Sequence, residues 1–213
     1  RTLFPYTTLF RSQRPDRDFE QMYAPTGTLP DLRLFLSHAA SEGLEVLSYD
    51  VKTAYLQANL NRPPDRPLYI RLPPGHGRGD VGPTGRPLVG QLVKAIYGLK
   101  QSGWCWWKRL DGVLLALGFK CLSTDWGFYT LRRGASVVLL FVFVDNIFAA
   151  IGGPDWMSQV LLSLQGEFKL TGGEPVVFKL GINFTRESPT GPIHIGMPFY
   201  IDDFVAEFRM RSE

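Results

Sequence analysis

The chain has 213 residues, of which 45% are hydrophobic, so it is long and apolar enough to fold around a core of its own. Its net charge of +3 is too small to predict nucleic-acid binding by itself. Two cysteines and three scattered histidines support neither a disulfide framework nor a zinc site, and no apolar run approaches the roughly 20 residues of a membrane span.

Residues 1–12 differ in kind from the rest of the chain. The stretch TLFPYTTLFRS, Thr2–Ser12, looks like a sequencing adapter translated in frame, and the chain starts without methionine. We therefore interpret residues 1–12 as a scar outside the fold and place the domain at residues 13–213. We expect the apolar side chains of this scar to pack on nothing.

The first half of the domain combines one helical pattern with extended ones. Four apolar residues at helical spacing predict a helix that starts near Pro30 and ends at Gly43: Leu32, Phe35, Leu36 and Ala39. LEVLSYD, Leu44–Asp50, predicts a strand, and the next ten residues are ambiguous. Prolines and glycines in residues 61–90 predict an extended insertion around a strand-like island at 68–72. Its five arginines indicate either a solvated loop or a phosphate-contacting surface.

The second half alternates helices with strands that pair locally. A stripe of apolar residues predicts a helix from Ser102 to Gly118: Trp104, Trp107, Leu110, Leu114 and Leu117. Strands are predicted at 128–131, 137–144, 147–151, 176–184 and 193–195. A third helix is predicted from near Pro154, and the last helix carries Ile201, Phe204, Val205 and Phe208. We expect an α+β fold, an antiparallel sheet with helices packed on one face.

Two polar residues, Asp145 and Asn146, interrupt the apolar stretch VVLLFVFVDNIFAA. Both tolerate the backbone of a tight turn, so the pair predicts a hairpin. A rigid turn can also present a carboxylate to a metal ion, and Asp50, at the end of an earlier strand, supplies a second one. From this pattern alone, both interpretations stay open: a simple hairpin turn, or a turn that contributes to a metal site with Asp50.

Six segments occur in the order found in the reverse transcriptase of Ty1/copia-type LTR retrotransposons, which the chain resembles from about Gln13 onward. They are DFEQMYAP (Asp18–Pro25), SYDVKTAYLQANL (Ser48–Leu60), LVKAIYGLKQS (Leu92–Ser102), FVDN (Phe143–Asn146), FKLGINFTRE (Phe178–Glu187) and FYIDDFV (Phe199–Val205). The resemblance implies a right-hand polymerase with a palm and partial fingers. Its implied activity is RNA-directed DNA polymerisation, a nucleotidyl transfer, within a transposable-element polyprotein.

The resemblance also implies roles for individual residues. Asp50 matches the first metal-binding aspartate of the family and Asp145 the first of its YVDD pair, so these two would hold two Mg²⁺ ions. The resemblance therefore implies that Asp50 and Asp145 lie on adjacent strands, no more than about 8 Å apart, where they could share one Mg²⁺. Tyr55 matches the aromatic residue that screens the sugar 2′-position, and core packing is its alternative role. Gln101 matches a residue near the incoming nucleotide, and it could instead simply end a loop. Asn146 stands at a catalytic position where the family has aspartate.

The implied partners are an RNA template, a DNA primer, deoxynucleoside triphosphates and other polyprotein domains, in a cytoplasmic retrotransposon particle and not in a membrane. Two departures from the family pattern predict that this copy is impaired. Asn146 lacks the negative charge of the family's aspartate. The scar stands where the family has a basic fingers strand, and the thumb would be truncated after Glu213. The alternatives are a catalytically dead remnant with at most weak nucleic-acid binding, and an unrelated α+β binding domain in which Asp50 lies far from Asp145.

Overall fold

The computed structural model describes residues 13–16, 18–60, 62–63, 65–71, 82, 85, 89–123, 126–153, 155–188 and 191–208. The chain folds into two compact units. The first unit consists of Arg1–Pro25 and Thr53–Gly112, and the second of Thr26–Lys52 and Val113–Glu213. Residues 1–12 lie outside the described residues, so the expectation that their apolar side chains pack on nothing stays a prediction.

The second unit is built on an antiparallel sheet of six strands. In spatial order these are β4 (Lys120–Cys121), β5 (Phe128–Arg133), β6 (Ser136–Phe143), β7 (Asn146–Ile151), β1 (Glu45–Val51) and β8 (Leu170–Pro175). Side chains on both faces of the central strands are buried, for example Phe141 and Phe148 on one face and Leu140 and Ile147 on the other. The expected antiparallel sheet is therefore confirmed, and both of its faces are covered. Near-continuous apolar runs such as β6 are typical of strands covered on both sides.

Helix α1 (Leu29–Ser41) covers one face of this sheet. It begins where Thr28 and Asp31 form a reciprocal capping box, which satisfies backbone N–H groups of the first turn. The four apolar residues that predicted this helix are all buried, so this element is confirmed: Leu32, Phe35, Leu36 and Ala39. The ring of Phe35 packs 6.0 Å from that of Phe128 and 6.1 Å from that of Phe141.

A second, three-stranded sheet of this unit consists of β9 (Phe178–Lys179), β10 (Ile182–Thr185) and β11 (His194–Gly196), in the order β11-β10-β9. The predicted single strand at 176–184 is wrong, because the chain reverses at Leu180 and Gly181. Both residues have positive φ, +55° and +77°, as a two-residue hairpin turn requires. Ile182 and Phe184 are buried in the same core cluster as α1, which fixes this hairpin against the main sheet.

Two more helices complete the second unit. Helix α3 (Trp156–Glu167) buries Met157, Val160, Leu161 and Leu164. The helical spacing of the last three residues predicted that they lie on one face. Helix α4 (Pro198–Glu207) forms where predicted, but none of its residues is buried. No helix in the described part of the chain is long and apolar enough to cross a membrane.

The first unit contains a 3₁₀ turn (Ala54–Gln57), a hairpin of β2 (Tyr69–Arg71) and β3 (Val89–Gln91), and most of helix α2 (Ser102–Ala116). The strand-like island predicted at 68–72 is confirmed as β2. Most residues between β2 and β3 lie outside the described residues, so the arginine-rich surface predicted there stays a prediction. With four α-helices and antiparallel sheets among the described residues, the chain has the predicted α+β class.

Strand β8 was not predicted, because its sequence LTGGEP resembles a loop. It pairs with β1 through a bulge: Ser48 lies opposite Glu174 and Tyr49 opposite Gly172, which leaves Gly173 as the extra residue. Gly172 has φ +95°, and a Cβ atom there would lie 2.4 Å from the backbone oxygen of Ser48. Only glycine therefore allows β8 to approach β1 two residues before Asp50.

Replacing Gly172 by alanine should destabilise the second unit more than the same change at Gly153. Both glycines have a φ near +100°, but a Cβ at Gly153 would meet nothing within 4 Å. Backbone strain is therefore common to both variants, and the clash with Ser48 should cost Gly172→Ala about 1–3 kcal/mol more. Denaturant unfolding measures both, and equal losses would show that β8 does not need this close approach.

Candidate active site

Asp50 lies near the end of β1, directly opposite Asn146 at the start of β7. In an antiparallel pair, residues in direct register have Cβ atoms about 4.5–5.5 Å apart and side chains on the same face. Asp50 and Asn146 share that face with Phe148 and Ala150, which are buried in the core cluster. The register of β1 against β7 therefore brings two of the predicted site residues together.

Asp145 lies in the turn between β6 and β7, not on a strand. Phe143 pairs with Asn146, so the two turn residues are Val144 and Asp145. The predicted turn, Asp145 with Asn146, is therefore displaced by one residue, because Asn146 is already paired with Asp50. The Val51 N–H donates to the backbone oxygen of Asp145 at 2.7 Å, which ties the turn to β1.

The side chains of Asn146 and Asp145 are bonded to one another. The Nδ2 atom of Asn146 donates to Oδ1 of Asp145 at 3.1 Å. Asn146 also lies opposite Asp50 in the register of β1 and β7, so it neighbours both predicted ligands. An aspartate at this position would have no N–H to donate, and its charge would repel that of Asp145.

The donor chemistry of this site suits a hard divalent cation. Two carboxylates and an amide carbonyl are oxygen ligands, and Mg²⁺ is usually bound through one or two carboxylates plus substrate phosphates. Among the described residues there is no cluster of three or more His, Cys, Asp or Glu side chains placed to hold a metal ion. Asp50 and Asp145 with the Asn146 carbonyl therefore stay a predicted donor set, one that would need substrate oxygens to complete it.

Two residues that the sequence did not single out contact Asp50. The ammonium nitrogen of Lys179, in β9, lies 3.9 Å from Oδ2 of Asp50. The hydroxyl of Thr171, in β8, donates to the backbone oxygen of Asp50 at 3.4 Å. Both contacts cross 120 residues or more of sequence, and Lys179 stood inside a run predicted as one continuous strand, so no local signal marked either residue.

Tyr55 and Gln101 lie in the first unit, whereas Asp50 and Asp145 lie in the second. Tyr55 is half-buried in the 3₁₀ turn, and its ring lies 4.7 Å from that of Tyr97. Packing against Tyr97 therefore covers part of the Tyr55 ring. A role for Tyr55 toward the sugar of a nucleotide stays a prediction.

Gln101 is buried at the start of α2, with only 6% of its surface exposed. Its amide oxygen accepts from Nε2 of Gln13 at 3.0 Å, and its amide nitrogen donates to the backbone oxygen of Asp18 at 3.2 Å. Gln101 therefore holds residues 13–18 against the beginning of α2. Its predicted place near the incoming nucleotide stays a prediction.

The first unit also contains an open cleft of about 610 Å³ beside Gln101. Three basic residues line it, Arg62, Lys108 and Arg109, together with one acidic residue, Glu20. The indole of Trp104 lies in the lining and stacks on Trp107 with ring centroids 4.9 Å apart. Basic groups next to an aromatic face are typical of surfaces that bind single-stranded nucleic acid.

The turn that carries Asp145 is strained. Val144 has φ +57°, a conformation that is costly for a β-branched residue and that hairpins usually give to glycine. Such outliers persist where the surrounding structure determines them, and they cluster at functional sites. Here strand pairing determines the turn, because β6 pairs with β7 and β7 also pairs with β1.

Val144→Gly should raise the free energy of unfolding by roughly 0.5–1 kcal/mol, because relief of the left-handed strain exceeds the backbone entropy of an added glycine. Val177→Gly is the matched control. Val177 is 68% exposed and is not among the described residues with positive φ, so glycine there should cost about 0.5–1 kcal/mol. Denaturant unfolding measures both, and a loss of stability in Val144→Gly would show that the valine is not strained.

The chain is similar in sequence to a known protein family and to known polyproteins. The model of the family described as reverse transcriptase (RNA-dependent DNA polymerase) matches residues 9–213, which include residues 9–12 of the segment interpreted as a scar. The retrovirus-related Pol polyproteins from transposons RE1 and RE2 of Arabidopsis thaliana are 32% and 30% identical over 200 residues, 93% of this chain. That from transposon TNT 1-94 of Nicotiana tabacum is 25% identical over 201 residues, 94% of this chain.

The chain spans about 13% of the length of the two Arabidopsis polyproteins and 14% of the tobacco one. Similarity over nearly the whole chain, together with the family match, confirms the resemblance drawn from the six motifs. The chain belongs to the reverse transcriptase family, as a domain of the kind found in the Pol polyproteins of copia-type retrotransposons.

Proposed function

We propose that this domain is the nucleotidyl-transfer centre of an RNA-directed DNA polymerase, with Asp50 and Asp145 as metal ligands and Asn146 as a weakened third position. The observation that carries the proposal is the register of β1 against β7, which sets Asp50 opposite Asn146 while Asn146 bonds to Asp145. In this proposal the second unit is the palm and the first unit contributes the partial fingers.

Two Mg²⁺ ions, when bound, would activate the primer 3′-hydroxyl and neutralise the charge of the triphosphate. The chain's own contribution is to hold the ligands in place. The β1–β7 pairing fixes Asp50, and the bond from Val51 N–H fixes the turn that carries Asp145. From the family resemblance, we propose that Tyr55 screens the sugar 2′-position and that Gln101 lies near the incoming nucleotide.

The proposed partners are an RNA template, a DNA primer and deoxynucleoside triphosphates. The basic cleft of the first unit, with Arg62, Lys108, Arg109 and Trp104, supports a nucleic-acid role because it combines charge for phosphates with a face for bases. The relatives are Pol polyproteins, and we propose that this domain acts inside one, in a cytoplasmic particle.

We further propose that this copy is impaired. With asparagine at 146, the site has two negative charges where the family pattern has three. A charge of −1 about 5 Å from a dication contributes about 1.7 kcal/mol in water, somewhat more than a tenfold change in binding. A catalytically dead remnant with weak nucleic-acid binding is the second candidate, and Asn146 is the observation that favours it.

Primer extension on an RNA template with Mg²⁺ should be weak for the native chain and should rise roughly tenfold in Asn146→Asp, because the third carboxylate restores a negative charge beside the proposed metal ions. The assay is template-dependent nucleotide incorporation, with Asp50→Asn as the background control. Robust synthesis by the native chain that is lost in Asp50→Asn would refute the impairment, and synthesis that survives Asp50→Asn would refute the site.

Metal binding tests the site without requiring turnover. The native chain should bind Mn²⁺ weakly, Asn146→Asp should bind it roughly tenfold more tightly, and Asp50→Asn should lose most of the binding. Free Mn²⁺ can be counted by electron paramagnetic resonance. Asp202→Asn in exposed helix α4 removes one carboxylate elsewhere and should leave the affinity unchanged. If Asp50→Asn binds as well as the native chain, Asp50 is not a ligand.

A further inference from the structure

The ion pair between Lys179 and Asp50 places a cation beside a proposed metal ligand. The Lys179 side chain is 29% exposed and that of Asp50 42%, so both are partly withdrawn from solvent and their attraction is screened less than that of a fully exposed pair. Oδ2 of Asp50 is therefore already close to a positive charge before any metal binds.

The position of Lys179 is fixed by buried neighbours. Lys179 pairs with Ile182 across the two-residue turn of the β9–β10 hairpin. Ile182 and Phe184 are only 5% and 3% exposed, and the ring of Phe184 lies 6.0 Å from that of Phe148 in β7. Phe148 is on the same face of β7 as Asn146, so the core that holds the hairpin also holds the site.

We propose that Lys179 acts as an internal counter-cation at Asp50, competes with the divalent ion there and lowers the metal affinity of the site. This inference rests on the proposed function, because it takes Asp50 as a metal ligand. The charges of Asp50, Asp145 and Lys179 add up to −1, against −2 for the two aspartates alone. The Asn146 amide donates a hydrogen bond to the Asp145 carboxylate, and the Lys179 ammonium forms an ion pair with Asp50. Both contacts offset negative charge that a metal would otherwise neutralise.

Replacing Lys179 by glutamine should therefore tighten Mn²⁺ binding. Removing a unit positive charge about 5 Å from a dication in water corresponds to somewhat more than a tenfold change in affinity. Salt should reduce the gain, because the pair is only partly buried. Lys179→Met is a second neutral variant, in case glutamine disturbs the hairpin.

Two control variants separate the local contact from the overall charge of the chain. Lys179→Arg keeps the positive charge and should leave the Mn²⁺ affinity within about twofold of the native value. Lys120→Gln removes a charge from an exposed residue of β4, which lies four strands from β1 in the sheet. At about 4.8 Å per strand this is roughly 19 Å away, beyond the Debye length at ordinary salt, so its affinity should not change.

The experiment is a titration of the full chain with Mn²⁺ alone, followed by electron paramagnetic resonance, for the native chain, these four variants and the double variant Asp50→Asn/Lys179→Gln. We expect about tenfold tighter binding in both neutral Lys179 variants and no such gain when Asp50 is also replaced. Unchanged affinity in Lys179→Gln and Lys179→Met, or an equal gain in Lys120→Gln, would overturn the role of Lys179 and leave the proposed function standing. Binding that never depends on Asp50 would overturn both.

Discussion

The pairing of Asp50 with Asn146 across β1 and β7 is the constraint on which the rest of the site depends. It determines where β7 begins, which leaves Val144 and Asp145 as the turn and forces Val144 into the left-handed region. It also sets Asp50 and Asn146 on the face that Phe148 shares with the β9–β10 hairpin. A shift of the register by one residue would move Asp50 to the opposite face and separate these groups.

Carboxylates held close together would repel one another, and two contacts of the proposed site would reduce this repulsion. Asn146 donates to Asp145, and Lys179 lies beside Asp50. In the proposed site these contacts would favour the folded domain and would act against a dication at the same oxygens. The same residues would therefore change stability and metal affinity in opposite directions, which is the usual relation between stability and function at a charged site.

Much of the second unit could be predicted from sequence, because its elements carry strong local patterns. Helix α1 has a capping box and four apolar residues at helical spacing, and β6 is a continuous apolar run. The six motifs also identified the family. The exact turn could not be predicted, since Asp145 and Asn146 are good turn residues and only the pairing with Asp50 moves the turn onto a valine.

Other features depend on contacts between distant parts of the chain. Strand β8 exists because Gly172 allows a close approach to Ser48, and nothing in LTGGEP suggests a strand. The hairpin at Leu180 and Gly181 divides a segment whose pattern predicted one strand, and this reversal is what brings Lys179 to Asp50. Gln101 was expected beside a nucleotide, but its burial against Gln13 and Asp18 follows from packing across more than 80 residues.

In the proposed site, Asp50 and Asp145 share one cation at the end of β1. Anomalous diffraction at the manganese edge, from crystals of the chain soaked in Mn²⁺, would locate this cation. We expect a peak about 2.0–2.3 Å from a carboxylate oxygen of each aspartate. A peak bound to only one of them, or carboxylates more than about 8 Å apart with no metal between them, would contradict it.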